Sequence, residues 1–271
     1  MSPLTRERVH SFLCGISGDA KDPADKLYRV LRARGLRMEF VSNKLTLHLG
    51  SPSGDRLYLD DALRKTKAGR LTGQEVVVED FSVEPWIEFF TERIELKEQR
   101  CSSCRKPWSE MLSAECCFAV PVSAAEPFIA RLVRATCACG SPSRGSCDGH
   151  GADKVLIDFA DDCSAVWFEV ICWHWLVRNF PSRCAWRVEG NRLTVSSTNH
   201  DVLRLYAEIQ KASDLLEKHS ESLMRYKKRV IETAEARKKK FVGMTRDELT
   251  AQLRELFLLE TRRSGRLTVE E

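Results

Sequence analysis

Apolar side chains recur at alternating steps of three and four residues between Val202 and Val230. The apolar positions are Val202, Leu205, Ile209, Ala212, Leu216, Leu223, Tyr226 and Val230, with His219 as the one break. Such a repeat places an apolar stripe along one side of an α-helix, close to coiled-coil periodicity. The pattern predicts a long amphipathic helix. Thr245 and Glu248 then form a capping box that opens a shorter helix ahead of Leu249.

The segments before this helix carry shorter patterns. Asp22 and Pro23 predict an N-capped helix that ends at Gly35. Short strands are predicted over residues 38–41, 45–49, 56–59, 75–78, 186–188 and 193–195, whereas residues 65–73 and 140–146 are predicted as loops. Residues 163–177 are apolar on nearly every side, so periodicity leaves a buried strand and a buried helix both open. The tryptophans of this run indicate an aromatic core more than a base-stacking surface.

Composition indicates a globular α+β protein, with 43% hydrophobic and 30% charged residues among 271. We predict a small α+β N-terminal lobe over residues 1–75, a cysteine-rich zinc-binding core over residues 76–200, and amphipathic helices over residues 201–271.

No apolar run reaches the length of a membrane span. The net charge of +4 permits nucleic-acid contact without requiring it. The odd cysteine count and the charged, signal-free first residues predict reduced thiols in the cytosol or nucleus.

Seven of the eleven cysteines lie between residues 101 and 147. Thiolates at C-x2-C and C-x-C spacing can converge on one tetrahedral cation, and clustering of this kind favours zinc over free buried thiols. We predict zinc as the cofactor. The preferred ligands of one ion are Cys101, Cys104, Cys137 and Cys139, with Cys147 and His150 as alternates or as part of a second site.

Enzyme signatures are missing. The chain has no phosphate-binding glycine loop, no dinucleotide fingerprint and no nucleophile elbow. A zinc deaminase requires H-x-E followed by P-C-x-x-C. His219 and Glu221 match the first half, but no cysteine follows Cys184. We therefore expect a protein without catalytic residues.

Two stretches of the chain are candidate sites for binding a partner. The first contains Leu112, Cys116 and Val120, which are spaced four apart, so a helix would present them on one face. This pattern resembles the elongin-binding box of ubiquitin-ligase adaptors. Cys116 could equally be a zinc ligand. The second stretch is basic and comprises Arg225, Lys227, Lys228, Arg229, Arg237, Lys238, Lys239 and Lys240. It fits nucleic-acid binding or nuclear targeting and, equally well, a solvated helix end.

Taken together, these motifs resemble the 34-kilodalton proteins of adenovirus early region four. The matching positions are Pro85, Trp86, Thr91, Glu92, Cys101, Cys137, Cys139, Ser141, Pro142, Cys147, Trp167, Phe168, Gly190, Leu193, Leu223, Met224, Arg229, Ile231, Glu232 and Thr233. The C-x-C-x7-C loop from Cys137 to Cys147 is the most specific of them. The chain departs from the family in its sparser first cysteine group, in a longer spacer to Cys137, in lysines that replace arginines, and in residues 1–75. The resemblance is that of a divergent member.

The resemblance implies a viral adaptor that recruits host elongins B and C with a cullin and a RING subunit. A second viral early protein would bring the substrates. Host antiviral and DNA-damage proteins would then be ubiquitinated and degraded, and export of viral late mRNA would be favoured, in the host nucleus and cytoplasm. No L-P-x-P motif is present to select the cullin. The alternative is a zinc-dependent RNA- or DNA-binding regulator that uses the basic helix.

Overall fold

A computed structural model describes residues 5–49, 51, 53–91, 122–236, 241 and 243–263. The helices are α1 (Arg6–Ser17), α2 (Pro23–Ala33), α3 (Ser53–Thr66), α4 (Trp86–Thr91), α5 (Ala130–Ala138), α6 (Asp162–Ile171), α7 (Val177–Asn179), α8 (Val202–Ala236) and α9 (Arg246–Arg263). The strands are β1 (Met38–Val41), β2 (Lys44–Leu47), β3 (Gly69–Thr72), β4 (Glu75–Val78), β5 (Ser143–Cys147), β6 (Lys154–Phe159), β7 (Cys184–Glu189) and β8 (Arg192–Ser197). The predicted α+β class is confirmed.

In the part of the chain that the structure describes, the strands form two antiparallel sheets of four strands each. The first has the order β1-β2-β4-β3 and the second the order β5-β6-β8-β7. In the first sheet, alternate residues such as Leu45, Leu47 and Val76 are buried, so one face of the sheet contributes to the core. The second sheet pairs β6 with β8 in the register that places Ile157 opposite Leu193, and both side chains are fully buried.

The long amphipathic helix is confirmed as α8. Every apolar position of the predicted stripe is buried, from Val202 through Val230. The stripe packs against α5 and α9, which explains how so long a helix is stable within a globular protein. His219, the break in the pattern, makes an edge contact with Trp175, with ring centroids 5.1 Å apart. The capping box is also confirmed, because the Thr245 amide donates to Glu248 Oε2 at 2.8 Å.

The apolar run over residues 163–177 is helical. It begins as α6, where the Asp161 side chain accepts a hydrogen bond from the Ser164 amide at 2.7 Å. A π-helical segment, Cys172–Leu176, then leads into α7. Trp167 and Phe168 are fully buried because α6 packs against both the second sheet and α9. The interpretation of this run as an aromatic core is therefore confirmed for Trp167.

Three short predictions were wrong. Residues 56–59 lie within α3, where Asp55, Leu59, Ala62 and Leu63 are buried at helical spacing that a four-residue window does not reveal. Residues 69–72 form β3, and residues 143–147 form β5, although their polar composition predicted loops. In β5 the buried side chains are the serines Ser143 and Ser146, which give no hydrophobic pattern. The strand predicted over residues 45–49 is shorter than expected, because β2 ends at Leu47, and Leu49 beyond it is 82% exposed.

Among the described residues, one cluster of buried apolar side chains joins the elements. It includes Leu13 of α1, Leu27 of α2, Leu132 of α5, Trp167 of α6, Leu216 of α8 and Phe257 of α9, together with residues of both sheets. Within the described ranges, no helix combines the length and apolar content that a bilayer crossing requires. The turn between β5 and β6 and the start of α5 meet at one edge of this cluster, where the candidate site lies.

Candidate metal centre

Glu126 is positioned by the beginning of α5. Its carbonyl accepts hydrogen bonds from the amides of Ile129 and Ala130, at 3.1 and 2.9 Å, so the residue is fixed by the first turn of the helix. Pro127 follows it at a position where its missing amide hydrogen is not needed. The Glu126 side chain is buried, with 5% of the residue exposed. A buried carboxylate requires partners, and the turn after β5 supplies them.

Cys147 and His150 are held in a tight turn between β5 and β6. The Asp148 carboxylate accepts a hydrogen bond from the His150 amide at 2.9 Å. Gly149 has φ +79°, and a Cβ there would lie 2.0 Å from the carbonyl oxygen of Lys154, so only glycine fits. His150 itself adopts a left-handed conformation, with φ 50° and ψ 39°. The turn thereby directs His150 back toward Cys147.

Three potential metal ligands converge at this turn. His150 Nε2 lies 3.4 Å from Glu126 Oε1 and 3.8 Å from Cys147 Sγ. The ligand atoms of all three residues lie within 4.8 Å of one another. Ligands at zinc–ligand bond lengths in a tetrahedral site are separated by about 3.3–3.8 Å. The two measured separations therefore fit a shared metal ion, and the group Glu126–Cys147–His150 is called the metal centre below.

Asp148 is not one of the three potential ligands, but it contacts two of them, His150 and Glu126. Its Oδ1 lies 3.4 Å from Nδ1 of His150, the ring nitrogen opposite the one that faces Glu126 and Cys147. A carboxylate beside the second nitrogen of a metal-binding histidine fixes the tautomer and orientation of the ring. The Asp148 amide donates to Glu126 Oε2 at 2.5 Å, and its carbonyl accepts from the Tyr206 hydroxyl at 3.0 Å. Asp148 thus connects the centre to α8.

The electrostatics of the centre favour a cation. Burial raises the pKa of Glu126, and the neighbouring charge of Asp148 raises it further. Burial likewise raises the pKa of the Cys147 thiol, although the Gly149 amide opposes this, and the charges of Glu126 and Asp148 add to the increase. Ionised together, these groups would place several negative charges in a partly buried site. A divalent cation would compensate them and stabilise both anionic forms.

The predicted ligands divide into three sets. Cys147 and His150 are brought together, and Glu126 joins them although its residue type and position gave no indication of this role. Cys101 and Cys104 lie outside the described residues. Among the described residues, neither Cys137 nor Cys139 belongs to the metal centre.

Cys137 and Cys139 are both fully buried at the C-terminal end of α5. The Cys139 thiol donates a hydrogen bond to the carbonyl of Leu216 at 3.5 Å, and its own carbonyl accepts from Trp167 Nε1 at 2.8 Å. These contacts join α5 to α6 and α8. They give Cys139 a packing role that the C-x-C spacing did not predict.

The two candidate partner-binding stretches are described only in part. Leu112, Cys116 and Val120 lie outside the described residues, as do Arg237, Lys238, Lys239 and Lys240. In α8, Arg225, Lys228 and Arg229 are exposed. Lys227 is half-buried and donates to the carbonyl of Gly140, so one cation of the basic stretch stabilises the fold.

Comparison with known proteins identifies no relative of the chain. No family model matches the chain, and no curated protein or solved structure matches it either. The geometry of the described residues therefore carries the functional inference.

Proposed function

We propose that the chain is a zinc-stabilised, non-catalytic viral adaptor. It would recruit a host ubiquitin ligase containing elongins B and C and a cullin, and would act with a second viral early protein. The metal centre carries this proposal. Cys147, the last cysteine of the loop that most specifically resembles the adenovirus early region four family, lies beside His150 and Glu126 at zinc-compatible distances.

The fold offers further support, because several positions that carry the resemblance are core residues. Trp86, Trp167, Phe168, Leu193 and Leu223 belong to one hydrophobic cluster, and each is no more than 1% exposed. Residues buried in a common core are constrained by packing. A pattern shared with a family at such positions therefore favours a shared fold over a coincidence of surface residues.

Zinc is the metal favoured by the donor set. A thiolate, an imidazole and a carboxylate are all zinc ligands, whereas magnesium and calcium prefer oxygen alone. The role assigned to zinc is structural, because the centre links the start of α5 to the turn before β6. Recruitment of elongins would depend on Leu112, Cys116 and Val120. The outcome would be degradation of host antiviral and DNA-damage proteins and favoured export of viral mRNA.

Co-expression with elongins B and C followed by size-exclusion chromatography tests the proposal. The wild type is expected to co-elute with the elongins, and the double variant Leu112→Ala, Cys116→Ala is expected to lose this co-elution. The matched control is Leu57→Ala with Cys14→Ala, which alters the same residue types at exposed positions. Circular dichroism and zinc content establish that each variant folds. Failure of a folded, zinc-loaded wild type to co-elute would overturn the elongin assignment.

A nucleic-acid-binding regulator is the second candidate. The exposed side chains of Arg225, Lys228 and Arg229 on α8 favour it. Contacts with phosphates release counterions, so nucleic-acid affinity would fall steeply as salt increases. Replacing these three residues by glutamine should reduce that salt dependence. Binding of RNA or DNA that the triple variant leaves unchanged would exclude this use of α8.

A further inference from the structure

A groove of about 800 Å³ lies between α1, α2 and α8. Apolar side chains from all three helices line it, namely Phe12, Ile16, Tyr28, Leu203 and Ala207. Phe12 is buried, whereas Ile16, Tyr28 and Leu203 are half-buried and pack against the edge of the core. The hydrophobic core therefore reaches the surface along this groove, and an accessible apolar surface of this kind is typical of an interaction site.

Gly15 leaves one wall of the groove without a side chain. It lies within α1, where glycine is less favourable than alanine. A Cβ at Gly15 would have no described atom within 4 Å, and the backbone of this residue is not in the left-handed region. Neither packing nor backbone geometry in the described part of the chain requires glycine at this position. The missing side chain does, however, keep the groove open.

The groove adjoins a second cavity of about 320 Å³ on the far side of α8. Arg204, Ala207 and Lys211 line both spaces, because residues three and four apart share one face of a helix. Arg183, immediately before β7, lines the second cavity as well. Cationic side chains thus collect at one end of an apolar groove.

The cations at this end have few acidic partners. Arg183 and Lys211 are exposed, and neither side chain forms an ion pair with any other described residue. Arg204 lies 4.0 Å from Glu208. The Glu208 carboxylate also accepts from the Ser182 hydroxyl at 2.5 Å and from the Arg183 amide at 2.9 Å, so it is shared among several donors.

The remaining cations of the groove are paired. Arg29 donates to both carboxylate oxygens of Asp25, at 3.1 and 2.9 Å. Arg32 and Arg131 both pair with Asp214. The excess positive charge therefore lies at the end of the groove that adjoins the second cavity.

We infer that the groove binds a peptide segment of a partner protein that carries acidic side chains beside apolar ones. The acidic side chains would pair with Arg183 and Lys211, and the apolar ones would cover Ile16 and Leu203. The part of α8 that lines the groove, from Leu203 to Asp214, extends about 16 Å, which is enough for about five residues of an extended peptide.

A nucleic acid fits the groove less well. Asp201, Glu208 and Asp214 also line the two spaces, and their charges would repel phosphates. The groove shares no residue with the metal centre or with the candidate elongin-binding stretch. Peptide binding here would therefore hold or fail independently of elongin recruitment.

Selection of random peptides displayed on phage, with the whole chain as the target, tests the groove. We expect the enriched peptides to combine aspartate or glutamate with large apolar residues. An enriched peptide labelled with fluorescein then serves as the probe in fluorescence anisotropy. Lys211→Glu should weaken its binding at least about tenfold, because attraction is replaced by repulsion. The matched control is Lys218→Glu, an exposed lysine of α8 that does not line the groove, and it should change the affinity less than about twofold.

Two substitutions of Gly15 test the apolar part of the groove. Gly15→Trp should fill the groove and weaken binding of the probe at least about tenfold, whereas Gly15→Ala should leave it open and change the affinity less than about twofold. Circular dichroism establishes that each variant folds. If Gly15→Trp or Lys211→Glu does not fold, methyl nuclear magnetic resonance of the wild type decides. The probe should then shift the signals of Ile16 and Leu203 and leave that of the exposed Leu57 in place.

Several results would overturn peptide binding in the groove. One is a selection that enriches no peptides with both acidic and apolar residues, and another is equal weakening by Lys211→Glu and Lys218→Glu. Probe binding that Gly15→Trp leaves unchanged, or unshifted Ile16 and Leu203 signals, would place the peptide elsewhere on the chain. Tighter binding of single-stranded DNA that displaces the probe would assign the groove to nucleic acid instead.

Discussion

Nε2 of His150 lies 3.4 Å from Oε1 of Glu126, although one residue belongs to the turn after β5 and the other precedes α5. Cys147 lies on the same side of the ring, and Asp148 lies on the other. The contact therefore connects two segments of the chain through a potential metal ion. Because metal-binding energy contributes to folding energy at such a site, the ion should stabilise the whole β5–β6 region against α5.

Removing the Glu126 carboxylate should weaken metal binding. Glu126→Gln keeps the size of the side chain but removes the charge, and we expect zinc affinity to fall at least about tenfold, with a lower thermal midpoint. Competition with a chromophoric chelator measures the affinity. Glu84→Gln is the matched control, because Glu84 also lies beside a histidine, His10 at 3.5 Å, but at the exposed surface. Equal zinc affinity of Glu126→Gln and the wild type would remove Glu126 from the ligand set.

Asp55→Ala should strongly destabilise the fold. The substitution leaves Arg134 buried without its 2.6 Å ion-pair partner, and loss of one member of a buried pair lowers the free energy of unfolding by about 3–5 kcal/mol. Urea unfolding followed by tryptophan fluorescence provides the measurement. Asp61→Ala on the same helix is the control, because Asp61 pairs with Arg64 and Lys65 at the surface. If Asp55→Ala lowers the free energy of unfolding no more than the control does, the buried Asp55–Arg134 pair contributes little to stability.

Glu217 should make stability depend on pH. Burial alone would raise the pKa of Glu217, but the adjacent Arg131 and Arg32 outweigh it and hold the pKa below the ordinary value of 4.5. A carboxyl group whose pKa is lowered by folding stabilises the protein above its unfolded pKa. That stabilisation is lost as the pH falls through the folded pKa.

Glu217→Gln tests this dependence. At neutral pH, the free energy of unfolding of the variant should be about 2 kcal/mol smaller than that of the wild type. This decrease is smaller than the one expected for a fully buried ion pair, because the Glu217 side chain is 28% exposed. The difference should shrink as the pH falls below about 4.5, where the carboxyl of the unfolded chain begins to take up a proton, and should be lost once the pH is below the lower pKa of the folded state. Denaturation curves from about pH 7 to about pH 3 measure it. A difference that does not change with pH would contradict the assignment of Glu217 as a charged partner of Arg131.

The sequence predicts the long elements of this fold well, for physical reasons. The stripe of α8 extends over many turns, so its period is unambiguous, and the Thr245–Glu248 capping box is a local interaction that sequence spacing specifies. Residues 56–59 offered too few positions to separate helix from strand. The strand β5 was missed because its buried residues are the serines Ser143 and Ser146.

The candidate site was only half predictable. Cys147 and His150 are three residues apart, so their proximity follows from local sequence spacing. Glu126 reaches them only because α5 packs beside β5, a tertiary contact without a local signal in the sequence. The same reasoning applies to Arg134 and Asp55, whose pairing depends on α3 and α5 being brought together by the fold. Spacing identifies ligands that are neighbours in sequence, whereas ligands contributed by distant segments require the structure.

X-ray absorption at the zinc edge, on the purified 271-residue chain, tests the proposed zinc site most directly. We expect about one zinc ion per chain in a mixed coordination shell, with sulfur at about 2.3 Å from Cys147 and nitrogen or oxygen at about 2.0–2.1 Å from His150 and Glu126. The Cys147→Ser variant should lose the sulfur neighbour. A chain without zinc, or a shell made of sulfur alone, would contradict zinc binding by Glu126, Cys147 and His150.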